Sequence, residues 1–184
     1  MRTPSARAST ALALATALAI AATVALSADV LPSPEGEVAF DRPLRMPIDG
    51  LAPGALRDTF GATRAAGAHE ALDIAAPRGT PVRAVDDGRI AKLFHSVPGG
   101  ITVYQFDPTE RFAYYYAHLD RYADDLREGA SVHAGDVIGY VGTTGNAPPN
   151  APHLHLAIFR LGPERQWWRG TAINPYPILR DAAR

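Results

Sequence analysis

The sequence has no cysteine, which excludes disulfide staples and a lipid-modified cysteine behind a leader. A chain so built is held by its core or by a metal. Lysine is almost missing as well: Lys92 stands against 17 arginines, and it lies inside the strand-like run GRIAKLF. A biotinyl- or lipoyl-carrier reading, prompted by VHAGDVIGYVG, needs a lysine at a tight hairpin and is poorly served. Positive charge is not in excess either. Without residues 1–28 the balance is 16 basic against 19 acidic groups, a net of −3, so no polyanion surface and no nucleic-acid partner is expected. The Ala/Leu-rich stretch without charge, residues 11–26, falls short of the roughly 20 apolar residues of a membrane span. Helical patterning is scarce, with residues 120–128 the one weakly helical stretch.

What is present suits one β-rich domain. The 184 residues, 47% of them hydrophobic, supply a single core and a tail. Arg2 and Arg7, the Ala/Leu-rich run and Ala25-Leu26-Ser27 form the three parts of a secretory signal. Residues 1–28 are read as that signal or as an uncleaved N-terminal anchor, giving an exported protein of the periplasm or cell envelope. Residues 29–46, rich in proline and charge, are read as an extended arm, and residues 47–184 as the domain. Within it, TPVRAV, GRIAKLF, ITVYQF, RFAYYYAHL, DVIGYV and HLHLAIF are runs of β-formers separated by turns at Asp87-Gly88, Gly99-Gly100 and Ala134-Gly135-Asp136. That spacing predicts a mainly β, antiparallel domain with few short helices. GTPVRAVDDGRI and GASVHAGDVIGYVG share a cadence that suggests two similar hairpins.

Chemistry concentrates on three histidine-bearing stretches. In PHLHLAIF, side chains alternate along a strand, so His153 and His155 share one face while Leu154 and Leu156 enter the core. In AHEALDIAAP, His69 and Asp73 are four apart; an extended chain puts both on one face and Leu72 and Ile74 on the other. A helix would also bring them together, and a turn-capping role for Asp73 is the plain structural alternative. In FAYYYAHLD, alternation places His118 with Phe112, Tyr114 and Tyr116, and Ala113, Tyr115, Ala117 and Leu119 opposite. Two histidines and one carboxylate with a fourth position open is the donor set of catalytic zinc.

The ordered motifs FGATR, HEALDIAAPRGTPVRA, YYAHLD, GDVIGYVGTTGN and PHLHL resemble the M23 peptidases, the lysostaphin-type zinc endopeptidases of bacterial cell walls, over about residues 58–177. The resemblance implies the duplicated-hybrid-motif β fold of that family. It implies one Zn2+ held by His69, Asp73 and His155, with His118 and His153 as catalytic residues beside it. It further implies hydrolysis of crosslinks or stem peptides of peptidoglycan. Two departures stand out: Ala71 where the family commonly has glycine, with its methyl expected to crowd the ligand face, and Ala157 where glutamate is frequent. A relative of the same fold that binds and activates a cell-wall amidase without hydrolysing anything is the alternative, and the full set of five residues argues against it. Nothing in the sequence indicates an oligomeric state.

Other polar residues receive plainer readings. HExxH chemistry would need a second histidine where Asp73 stands, so Glu70 is not expected to be a base. His95 and His133 are expected to face solvent. Arg64 is read as a cleft residue or a surface ion-pair partner. Trp167 and Trp168 are expected to split between packing and a groove wall.

Overall fold

The computed structural model describes residue 40, residues 42–64 and residues 67–182. The expected signal or anchor, and most of the arm, lie outside the described residues. Everything described belongs to one compact unit, residues 39–184. Eleven strands follow in order: β1 (Thr63–Arg64), β2 (Gly67–Ala68), β3 (Leu72–Ala75), β4 (Pro81–Arg83), β5 (Gly88–Ser96), β6 (Gly100–Phe106), β7 (Phe112–Tyr122), β8 (Ser131–Val132), β9 (Val137–Val141), β10 (His153–Leu161) and β11 (Gly170–Ile173). One α-helix, α1 (Pro175–Ala182), closes the described chain. No helix of the described residues is long and apolar enough to cross a membrane.

β1 and β2 form a small hairpin, and the other nine strands form one antiparallel sheet running β11-β10-β7-β6-β5-β8. β10 is its hub. One edge of β10 meets β7, with Ala157 opposite Tyr115; the other meets β3 at its start and β11 at its end. The run HLHLAIFRL can occupy so central a place because Leu154, Leu156 and Ile158 are fully buried on the core side. Leu72, Ile74, Tyr114, Tyr116 and Val103 complete that side.

The two repeated cadences do not make two hairpins. β4 pairs with β9 and β5 with β8, so each cadence supplies partners to the other. Main-chain bonds across the crossing, from Ala84 N to Asp136 O and from Gly135 N to Ala84 O, tie the two turns together. Residues 120–128 are not helical. β7 continues to Tyr122 because Leu119, Arg121 and Tyr122 pair with β9, and turns follow.

The helix that does form was not expected, although its start is written in Asn174-Pro175. Asn174 caps it by accepting the Tyr176 N–H at Oδ1 (2.9 Å), and proline occupies the first helical position, where no N–H is needed. Leu179 anchors the helix by complete burial. At the other end of the described chain, Leu44 is buried and Arg45 N donates to Val85 O, so these residues of the expected arm lie against the sheet.

Candidate metal centre

Register sets the centre. Asp73 of β3 and His155 of β10 are direct partners across an antiparallel ladder, so their side chains rise together from the face opposite the core. His69 precedes β3 in non-helical backbone, held by Gly61 N donating to His69 O and His69 N donating to Ala62 O. The three donors converge: His69 Nε2 lies 3.2 Å from Asp73 Oδ1 and 3.2 Å from His155 Nδ1, and His155 Nδ1 lies 3.1 Å from Asp73 Oδ1. Among the described residues, this is the group of three or more His, Cys, Asp or Glu side chains whose ligand atoms come within 4.8 Å of one another.

These separations fit a tetrahedral cation. Metal–ligand bonds of about 2.0 Å set neighbouring donors about 3.3 Å apart. The tautomers suit as well: His69 Nδ1–H donates to Thr59 O (2.8 Å), which leaves the Nε2 lone pair facing the other two donors. Thr59 serves twice, since its Oγ1 accepts the Asp73 N–H (2.9 Å). Burial works against ionisation of Asp73, but hydrogen bonds from His155 and from Arg64, at 2.5 Å to Oδ2, hold its carboxyl far below the usual carboxylate range. Burial lowers the His155 pKa against the opposing pull of Asp73, which favours the neutral, ligating imidazole.

His118 and His153 stand beside this group with ring centroids 4.9 Å apart, and His118 is 5.5 Å from His155. Each spends Nδ1 on a carbonyl, His118 on Thr144 O and His153 on Ala151 O, both at 2.8 Å. Nε2 is thereby left as the acceptor in the neutral ring. His153 Nε2 is 3.9 Å from Asp73 Oδ1. Burial pushes the His118 pKa down to about 4, with the nearby His155 and His153 adding to the effect and the bond to Thr144 opposing it.

Alternation alone misplaces His118. Tyr114 and Tyr116 face the core, yet His118 does not join them, because β7 bulges where its register with β6 shifts between Ile101 and Val103. His118 takes φ +60°, a left-handed conformation rare outside glycine, and its N–H donates to Gly99 O (2.8 Å). The extra residue turns the imidazole to the side of Tyr115, whose ring is 6.0 Å from His155. The turn at Gly99 was expected, but its role and that of Thr144 in placing His118 were missed by sequence reasoning. Their signal was GTTGN, a loop whose threonine Oγ1 accepts the Ile101 N–H (2.9 Å) and donates to Leu119 O (2.6 Å).

The remaining residues sort as follows. Glu70 is exposed at the cleft rim in non-helical backbone, and His95 and His133 face solvent. Arg64 is in the cleft and paired with Asp73. Trp167 is half-buried against Phe94 and Tyr104, whereas Trp168 is exposed. A cavity of about 230 Å³ opens over His69, His118, His155 and Tyr115.

Comparison with known proteins gives the family. The family model for peptidase family M23 matches residues 67–175. An L-Ala–D-Glu endopeptidase of Bacillus subtilis is 32% identical over 153 residues, covering 79% of this chain and 44% of that protein. A glycyl-glycine endopeptidase, ALE-1 of Staphylococcus capitis, is 34% identical over 63% of this chain and 30% of its own length. The chain thus spans less than half the length of these relatives. The solved catalytic domain of lysostaphin from Staphylococcus simulans superposes with a TM-score of 0.55 at 29% identity, covering 67% of this chain and 88% of that one. The chain belongs to peptidase family M23.

Proposed function

We propose that the protein is an exported zinc metalloendopeptidase that hydrolyses crosslinks or stem peptides of bacterial peptidoglycan. The observation that carries this reading is the convergence of His69, Asp73 and His155 at 3.1–3.2 Å beside two further imidazoles. The relatives named as endopeptidases support the reaction class. In this reading His69 Nε2, one Asp73 oxygen and His155 Nδ1 hold one Zn2+. Bound there, the ion would supply Lewis-acid chemistry for a peptide carbonyl and for water.

The chain's own groups handle the protons. His118 lines the cleft with Nδ1 spent on Thr144 O, and burial, which depresses its pKa, keeps the ring neutral at neutral pH; His153 stands beside it with ring centroids 4.9 Å apart. One imidazole takes a proton as water adds to the carbonyl carbon, and protonation of the departing amine completes the hydrolysis. The imidazolium so formed is the proton donor to that amine. Tyr115 and Pro98 line the cleft and orient the peptide.

The test is mass spectrometry of products from purified, differently crosslinked sacculi treated with zinc-loaded protein. New peptide termini are expected at one kind of bond, and His155→Ala should lose both zinc and cleavage. A preparation that binds one zinc per chain and cuts no crosslinked or linear wall peptide would turn the reading towards a non-hydrolytic, amidase-activating domain.

A further inference from the structure

The large hydrophobic side chains exposed among the described residues are Phe94 at 40%, Val97 at 90% and Trp168 at 61%. They come from two segments: the end of β5 with its turn into β6, and the loop between β10 and β11. That loop makes a tight turn, closed by Arg169 N donating to Gln166 O (3.1 Å), whose two central residues are Trp167 and Trp168. Such positions ordinarily take glycine, proline, asparagine or aspartate. Trp167 is half-buried against Phe94 and Tyr104, but the exposed Trp168 gains little core burial, so folding alone does not explain it.

The tryptophans are joined to the metal centre by a line of rings. Ring centroids step from His155 to Tyr115 (6.0 Å), Tyr115 to Tyr104 (4.6 Å), Tyr104 to Trp167 (4.7 Å) and Trp167 to Trp168 (5.1 Å), with Phe94 5.5 Å from Trp167. Sheet register explains the line. Ala157, Tyr115, Tyr104 and Lys92 are successive cross-strand partners on β10, β7, β6 and β5, a row that crosses the strands on the face bearing Asp73 and His155. The small Ala157 leaves the Tyr115 ring as the first step of the ledge, and Lys92, paired with Glu128 at 2.8 Å, ends the row.

We propose that this ledge, with Trp168 at its tip, is a sugar-binding subsite that stacks a pyranose ring of the N-acetylated glycan to which the substrate peptide is attached. The inference rests on the cell-wall peptidase reading above. A peptide seated at the metal centre remains tethered to its glycan, and the aromatic line leads out of the cleft to an exposed face. Flat apolar rings accept the C–H face of a pyranose. A protein partner would need upwards of about 1,000 Å² of interface, and three partly exposed side chains offer only a few hundred.

Trp168→Ala and the ring-conserving Trp168→Phe test this, since an exposed indole can be removed without opening the core. Peptide-free glycan oligomers titrated into zinc-loaded protein should quench wild-type tryptophan fluorescence. Binding should weaken at least about fivefold in Trp168→Ala and recover in Trp168→Phe. For hydrolysis, Trp168→Ala should lower kcat/KM about tenfold on glycan-bearing crosslinked substrate and leave it unchanged on the same peptide freed of sugar. Equal losses on both substrates, or no glycan binding by the wild type, would overturn the proposal. Failure of the peptidase reading would look different: no cleavage of either substrate, with the glycan titration still readable.

Discussion

Five side chains meet at the candidate centre, and His118 and His153 stand outside the converging group of His69, Asp73 and His155, with Nδ1 of each spent on a main-chain carbonyl. If their task is proton transfer, His118→Ala and His153→Ala keep one zinc per chain while turnover falls about 10²- to 10⁴-fold. Metal analysis beside steady-state kinetics checks this. Asp73→Asn should do the reverse: the negative donor is gone, zinc affinity drops at least about 100-fold by competition with a chelating dye, and activity follows metal content. At this scale the sequence was informative where alternation held. His153 and His155 could be paired, and Leu154 and Leu156 sent to the core, by counting twos along one uninterrupted strand. The same count failed at His118, because a bulge is fixed by the neighbouring Gly99 turn and the Thr144 loop, which no local periodicity encodes.

Elements meet tightly where the β5–β6 turn interlocks with the Thr144–Gly145 loop. A Cβ on Gly100, at φ +65°, would stand 2.5 Å from Gly145 N and within 2.4 Å of the Thr144 main chain, so alanine cannot enter without displacing backbone. Gly100→Ala is therefore expected to cost about 3 kcal/mol in urea unfolding. It should also lower turnover, since the displaced loop carries the His118 acceptor, while zinc binding by β3 and β10 persists. A normal urea midpoint together with normal turnover would show that the interlock does not position His118. All six β-like runs of the sequence became strands, because alternating or β-branched composition is a local signal. Their partners were another matter. The two similar cadences suggested hairpins, yet β4 pairs β9 and β5 pairs β8; closure between distant strands depends on which edges remain free, and that is a property of the sheet.

For the molecule as a whole, cohesion without disulfides depends on the core face of the sheet and on the metal side of the same sheet. Tyr114, Tyr115 and Tyr116 of β7 have pKa values raised above the usual tyrosine range, first by burial and then, for Tyr114 and Tyr116, by the Asp86 charge. Folded pKa values above unfolded ones mean that this stability is intact below about pH 10 and is lost as pH rises further. Tyrosinate absorbance should accordingly appear together with unfolding above pH 10, not before it. A metal held at the proposed centre would contribute at neutral pH. His69, Asp73 and His155 join residues 86 positions apart in sequence, so a cation that binds only the folded chain raises its stability by mass action. At free zinc a thousandfold above Kd the gain is about 4 kcal/mol, which for a domain of this size corresponds to roughly 8–16 °C in Tm. Chelation should lower the wild-type Tm by that much and leave Asp73→Asn nearly unmoved. If calorimetry shows the same chelator response in both proteins, the stabilising ion sits elsewhere and the assignment of these three side chains as its ligands fails.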